Sequence, residues 1–211
     1  MLKGLLNKKI ILGLGILFLL IFGINIFKSI SINNFGNEEK EEVVNINEEV
    51  VMSLKSRKTL DIKEDKNFTV DLKLSYLTSN IYPSSSFSIE FDKDKLELVD
   101  ILEGDIVTFS NKTPDWKYDV KSSNKTGIIN VIYLDSSGGK DSFTSKSIQS
   151  EDKNTIVKLE FKLKNEIKSN DEINLKIKDA VFATIEGDMD NSSLSTKKNT
   201  MKIENCKIDI Q

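Results

Sequence analysis

The sequence predicts an all-β domain, an antiparallel β-sandwich, carried behind a separate apolar segment. Three observations predict it. After residue 45, apolar and polar residues alternate with a period of two over most of the chain, which is the mark of strands with one wet and one buried face. Clusters of Asp, Asn, Ser and Gly interrupt that pattern at short intervals. No stretch beyond residue 45 shows the 3.6-residue period of an amphipathic helix.

The chain opens with a different kind of segment. Residues 1–9 (MLKGLLNKK) carry lysines, and Ile10–Phe27 follows with no ionisable side chain and 14 Leu, Ile or Phe among its 18 residues. Eighteen helical residues span about 27 Å, close to the roughly 30 Å of bilayer hydrocarbon. The expectation is a single transmembrane signal anchor over residues 10–28. A weak Ser-Ile-Ser site in FKSISINNFG leaves a cleaved, secreted form as the alternative. Lysines precede the span, while Glu38, Glu39, Glu41 and Glu42 follow it. The positive-inside rule then makes residues 1–9 a cytoplasmic stub and places the rest outside the cell membrane. Residues 29–45 are polar, acidic and aperiodic, and read as a linker. Residues 46–211 hold the sandwich.

Within that domain the strands follow in order. Val50–Leu54 comes first, then Phe68, Val70, Leu72 and Leu74 alternating with Thr69, Asp71 and Lys73. Phe87, Ile89 and Phe91 alternate with Ser86, Ser88 and Glu90, and Leu96–Ile101, Trp116–Val120 and Ile128–Leu134 come next. Val157–Leu163 and Ile173–Ile177 alternate again, and Ala180–Thr184 and Met201–Ile210 close the series. Turns are expected at 65–67, 92–94, 104–105, 124–127 and 136–139.

Composition excludes several functions. The four charged residues before Ser29 are all lysine, so residues 29–211 hold 26 basic against 33 acidic groups, a net −7. Such a body repels nucleic acid and anionic lipid. With no histidine there is no Ser-His-Asp triad and no histidine-bound zinc, and with Cys206 as the one cysteine there is no internal disulfide. The chain reads as no enzyme and as needing no cofactor. Asp188-Met-Asp190-Asn-Ser192 begins like a calcium loop, but Ser193 and Asn199 stand where a glycine and a bidentate Glu belong. The sequon matches at Asn67, Asn111, Asn124 and Asn191 are common in so Asn- and Ser-rich a chain. Trp116, Tyr118, Tyr76 and Tyr82 are either core and rim residues or a platform for sugar rings.

One strand breaks the alternation. If Ile129, Val131 and Tyr133 face inward, Ile132 and Leu134 point outward beside Asn130. Either a loop such as 138–150 covers this second apolar face, or it is a surface for a partner protein.

FSIEFDKDKLELVDILEGDIV (87–107), GIINVIYLDSSGG (127–139), SIQSEDKNTIVKLEFKLK (147–164) and IKDAVFATIEGDMDNSSL (177–194) together resemble the cohesin family of bacterial extracellular modules. The likeness runs in order from about Val50 to Ile210. A Gly-Asp expected before the second strand is replaced by Ile62-Lys-Glu-Asp-Lys-Asn67, and Ser84-Ser-Ser86 stands where relatives place partner-binding Asn and Asp. The resemblance implies a nine-stranded antiparallel jelly-roll β-sandwich that binds a dockerin, a small helical module holding calcium on its own loops. The partner would be a secreted protein such as a glycoside hydrolase, tethered at the membrane by the N-terminal helix. It implies partner-binding positions at Ser84, Ser86, Ser88, Glu90, Tyr118, Asn130, Ile132, Leu134, Asp135, Met189 and Leu194. A carbohydrate-binding module, or an adhesin or structural ectodomain, would share this sandwich and stays open at this point.

Overall fold

The computed structural model describes residues 49–185 and 192–211. The expected stub, span and linker lie outside them; among the described residues no helix is long and apolar enough to cross a membrane. The strands are β1 Val51–Lys55, β2 Thr59–Leu60, β3 Asn67–Leu74, β4 Ser84–Glu90, β5 Leu96–Glu103, β6 Lys117–Tyr118, β7 Ile128–Leu134, β8 Thr155–Leu163, β9 Glu172–Ala183, β10 Leu194–Ser195, β11 Lys202–Glu204 and β12 Cys206–Ile210. One sheet runs β11-β1-β3-β8-β5 and the other β2-β12-β9-β4-β7-β6, with β10 paired to β9.

The two-residue period is what closes this sandwich. On β3 and β8, Phe68 faces Phe161 and Val70 faces Leu159, all buried. On the other sheet Phe87, Ile89, Ile129, Val131, Tyr133, Ala180 and Phe182 point inward. Between the sheets, Trp116 packs edge-on to Phe87 and Tyr133 at 5.5 Å from each and stacks on Phe143 at 5.7 Å; Phe143 also meets Phe182 at 5.7 Å. Trp116 is therefore core. Glycine is required where the loop after β5 meets β8. A Cβ at Gly104 would lie 2.1 Å from the Thr155 carbonyl oxygen, which accepts from the backbone N–H of Asp105 and Ile106.

The architecture departs from expectation in three ways. Twelve strands stand among the described residues where nine were expected. The run 201–210 divides at Asn205, whose side chain accepts from the Ile177 N–H at 2.9 Å, and its halves join different sheets. Ile173–Ile177 and Ala180–Thr184 instead merge into β9, which absorbs the break as a register shift opposite Ser88 and Ile89. The two-residue β2 and β10 are too short to show a period. The sandwich is also not wholly antiparallel, since β1–β11 and β2–β12 pair in parallel.

The third departure is a helix, α1 (Val120–Thr126), where a strand end and a turn were expected. Its ends specify it. Asp119 caps the start, accepting from the Ser122 N–H, and Gly127 closes it in the left-handed conformation at φ 76°. Among its residues only Ser123 is buried, so it carries no apolar stripe to read. α1 instead brings Asn124 to the free edge of β5. There the Asn124 side chain accepts from the Leu98 N–H at 2.7 Å and donates to the Leu98 carbonyl at 2.8 Å. The Asn124 sequon match is thus occupied by structure.

Candidate protein-binding face

Strand β4 lies between β9 and β7, and its register fixes which side chains meet on the outer face. Ser84 sits between Leu134 and Ala183, Ser86 between Ile132 and Val181, Ser88 between Asn130 and Asp179, and Glu90 between Ile128 and Lys176. Ser84, Ser86, Ser88, Glu90, Asn130, Ile132 and Leu134 therefore share one face, in the positions expected of them. Leu134 is 71% exposed and Ile132 55%, so among the described residues no loop covers them. The 138–150 segment turns the other way: Phe143 pairs with Tyr82 and enters the core, and Val107 donates to the Ser147 carbonyl.

The face is graded along its length. Ile132, Leu134, Val181 and Ala183 flank Ser84 and Ser86, with Ile185 just past the end of β9 at 69% exposure. Ser88 donates to the Asn130 side-chain oxygen at 2.7 Å in the middle. Beyond them Lys178 pairs with Glu90 at 2.8 Å and Lys197 with Asp179 at 2.7 Å. The hydrogen bond and charge of Lys178 hold the Glu90 carboxyl below its usual range, and Lys197 does the same for Asp179.

The outer face of the opposite sheet is different in kind. Across its strands Lys55 faces Asp71, Asp71 faces Lys158, and Glu97 faces Lys162. Opposite charges in register make a solvated surface. That sheet exposes Val99 and Leu102 only on its edge strand β5 and Ile203 on its edge strand β11, whereas Ile132 and Leu134 stand on the β9-β4-β7 face among short polar side chains.

Tyr118 and Leu194 fall elsewhere, Asp135 is engaged in a turn, and Met189 is not among the described residues. Tyr118 pairs with Val131, an inward residue, so it points around the sheet edge. Its hydroxyl donates to the Ile101 carbonyl of the other sheet at 2.8 Å, and its neighbour Lys117, paired with Ile132, takes the outward place. Leu194 is directly opposite Phe182 on β10 and is buried in the core. Asp135 stands at the end of the strip, but its carboxylate accepts from the Ser137 N–H, the Ser137 hydroxyl and the Ser142 hydroxyl at 2.6–2.7 Å, and so holds the following turn. Burial raises its pKa, yet these donors outweigh it and leave the group low. Met189 lies outside the described residues, as does most of the 188–192 loop.

Val181, Ala183, Ile185 and Ile128 were missed. The signal was present in AVFATI (180–185), which is apolar on both faces in the same way as β7. Beside Leu134 a cleft of about 520 Å³ opens where β6 stops after two residues, rimmed by Lys112, Lys117, Asp115 and Asp141. Asp115 pairs with Lys117 at 2.5 Å and Asp141 with Lys112 at 3.2 Å, so these charges are internally matched. Among the described residues no group of three or more Cys, Asp or Glu could hold a metal ion. Trp116 and Tyr82 are buried and Tyr118 lies at the edge, so the aromatics singled out from the sequence form no sugar platform.

The cohesin domain profile matches residues 50–203. Among solved structures, a type I cohesin–dockerin complex of Clostridium thermocellum (Coh-OlpA-Doc918) aligns at 18% identity over 78% of this chain and 100% of its own, with a TM-score of 0.54. The third ScaC cohesin of Acetivibrio cellulolyticus, in complex with the ScaB dockerin, aligns at 14% over 76% and 98%, with a TM-score of 0.55. A cohesin module from a family 33 glycoside hydrolase of Clostridium perfringens aligns at 13% over 77% and 96%, with a TM-score of 0.50. At these identities the structures speak to the fold. The search of curated proteins returns no match.

Proposed function

We infer the function of this chain from the family to which it belongs, the cohesin domains, which are non-catalytic protein–protein interaction modules. The chain binds a dockerin module of a partner protein through the outer face of β9-β4-β7. The observation that carries this reading is the contrast between the two outer faces. One pairs opposite charges across its central strands and exposes aliphatic groups only on its edge strands, whereas the other leaves Ile132 and Leu134 in solvent among Ser84, Ser86, Ser88 and Asn130. Uncovered aliphatic groups ringed by short hydrogen-bonding side chains have the make-up of an interface centre and its rim. The three serines and Asn130 carry no charge, so recognition relies on shape and hydrogen bonds more than on ionic steering.

The partner, as a dockerin, brings the calcium, and this chain contributes no metal ligand. The apolar run Ile10–Phe27 supports a second part of the proposal: it anchors the module in the cell membrane with residues 29–45 as spacer, so that a secreted partner such as a glycoside hydrolase is held at the surface. The test is surface plasmon resonance with the full chain captured in detergent, against each calcium-loaded dockerin encoded in the same genome. The expected result is saturable binding that disappears when the dockerin is stripped of calcium. Failure of every such dockerin to bind would overturn the reading.

A further inference from the structure

An unpaired sheet edge is a template for a strand of another molecule. Among the described residues the two sheets end on β11 and β5, and on β2 and β6. β2 and β6 have two residues each, and β11 has three, with Lys202 paired to Glu49 and Glu204 to Lys55. Short and charged edges of this kind recruit little. β5 differs, with eight residues and two half-exposed aliphatic side chains, Val99 at 49% and Leu102 at 40%. By length and composition it is the edge that most invites a further strand.

Yet the backbone groups along that edge already have other partners. The Leu96 N–H donates to the Asp92 carbonyl at 2.8 Å, and the Asn124 side chain holds both the N–H and the carbonyl of Leu98. The Ile101 N–H donates to the Asp100 carboxylate at 2.8 Å, and the Ile101 carbonyl accepts from the Tyr118 hydroxyl at 2.8 Å. Tyr118 and Asn124 belong to one continuous strap: Tyr118 ends β6, Asp119 caps α1, and Gly127 closes it. The Phe91 N–H donates to the Gly127 carbonyl at 2.9 Å and pins the far end. With Ser123 as the one buried residue of α1, the strap adds little to the core; what it does is cover this edge.

We propose that the strap from Tyr118 to Asn124 is an edge guard, which keeps β5 from pairing with β5 of a second copy of this chain. A second copy is the strand best matched to the edge. In a two-fold antiparallel pairing centred between Val99 and Asp100, Leu98 of one copy meets Ile101 of the other. These are the two residues whose N–H and carbonyl groups the strap and Asp100 now occupy, so the exchanged strand would satisfy the same groups. In that register Leu96 faces Glu103, Glu97 faces Leu102 and Val99 faces Asp100, so no like charges stand opposite each other. The guard is independent of the partner-binding reading, which uses the outer face of the other sheet.

The test is the protein mass per particle of the full chain in detergent, by light scattering across a range of concentration, with hydrogen exchange at the Leu98 amide as the local readout. The native chain sets the baseline, including any association through other segments. In the Asn124→Ala/Tyr118→Phe variant the mass per particle should rise with concentration toward double the baseline. Its Leu98 amide should exchange at least about tenfold faster than native when dilute and regain protection when concentrated. Adding Leu102→Glu sets a carboxylate opposite Glu97 of the second copy, while facing Lys158 within its own sheet, and should return the mass to the baseline. Where the double variant loses the native circular dichroism spectrum, Asn124→Ala alone, which bares Leu98, is read against the same outcomes. A variant that keeps the native mass at every concentration while its Leu98 amide exchanges fast overturns the proposal. So does association that Leu102→Glu leaves unchanged, and so does a native chain whose own mass falls on Leu102→Glu, because its edge would already be open.

Discussion

Replacing Asn124 with alanine removes both hydrogen bonds that close the free edge of β5. In the native domain the side-chain amide mimics a neighbouring strand, accepting from the Leu98 N–H at 2.7 Å and donating to the Leu98 carbonyl at 2.8 Å. It does so because β5 is the last strand of its sheet, so this edge has no strand partner among the described residues. Each such bond contributes about 1 kcal/mol net, and an orphaned, partly buried backbone group costs about 1–3 kcal/mol. The expected loss is therefore about 2–3 kcal/mol, or roughly 5–10 °C in Tm for a domain of this size. Urea unfolding of residues 49–211, which contain the whole described core, measures it. Asn124→Asp sharpens the test. It keeps the acceptor for Leu98 N–H but sets a carboxylate against the Leu98 carbonyl, which favours the protonated acid and raises its pKa in the folded state. Relative to the native domain at the same pH, that variant should be least destabilised at low pH and increasingly destabilised as pH rises through the carboxylate range. An Asn124→Ala domain within about 0.5 kcal/mol of native would refute the idea that a side chain holds this edge.

Placing Asp at buried Leu159 or Phe161 puts an unpaired charge between the sheets, and should cost more than about 4 kcal/mol and abolish the urea transition. Ser110 donation, with Lys112, holds Asp141 below the usual value of 3.8, and the donors on Asp135 outweigh its burial. These depressed carboxyls stabilise the fold above that value, so the urea midpoint should fall as pH drops through it. Burial, with Asp135, Asp141 and Asp115 nearby, pushes Tyr133 from 10.0 up to about 12. Stability should accordingly be lost as pH rises between those two values, with Tyr133 titrating late by ultraviolet absorbance. Finally, the intact chain should fractionate with membranes and resist high salt and carbonate; a soluble form beginning near Ile32 as the main species would contradict the anchor.

How much of this was legible depends on whether period or pairing carried the information. β3, β4 and β8 could be read to within a few residues because Phe68 to Leu74, Phe87 to Phe91 and Val157 to Leu163 alternate strictly. The exposed Ile132 and Leu134 were legible because β7 breaks that alternation. The same break in AVFATI escaped notice because Ala183 and Thr184 are small and mask the apolar run. Helix α1 was hidden because its stability lies in the caps Asp119 and Gly127 and in Asn124 reaching Leu98, with no apolar stripe to betray it. Tyr118 and Leu194 were misplaced for a related reason. Which face each takes is set by pairing with Val131 and Phe182, contacts far away in sequence.

The account rests most heavily on the aliphatic centre of the β9-β4-β7 face. The direct measurement is the affinity of the full chain and its Leu134→Asp variant for the same calcium-loaded dockerin, with Lys158→Asp on the opposite sheet as the control. A charge forced into the centre should weaken binding by at least about 2 kcal/mol, roughly thirtyfold, while the control stays within about twofold and both variants keep the native circular dichroism spectrum at the assay temperature. Equal affinity for the native chain and Leu134→Asp, or a larger loss from Lys158→Asp, would contradict it.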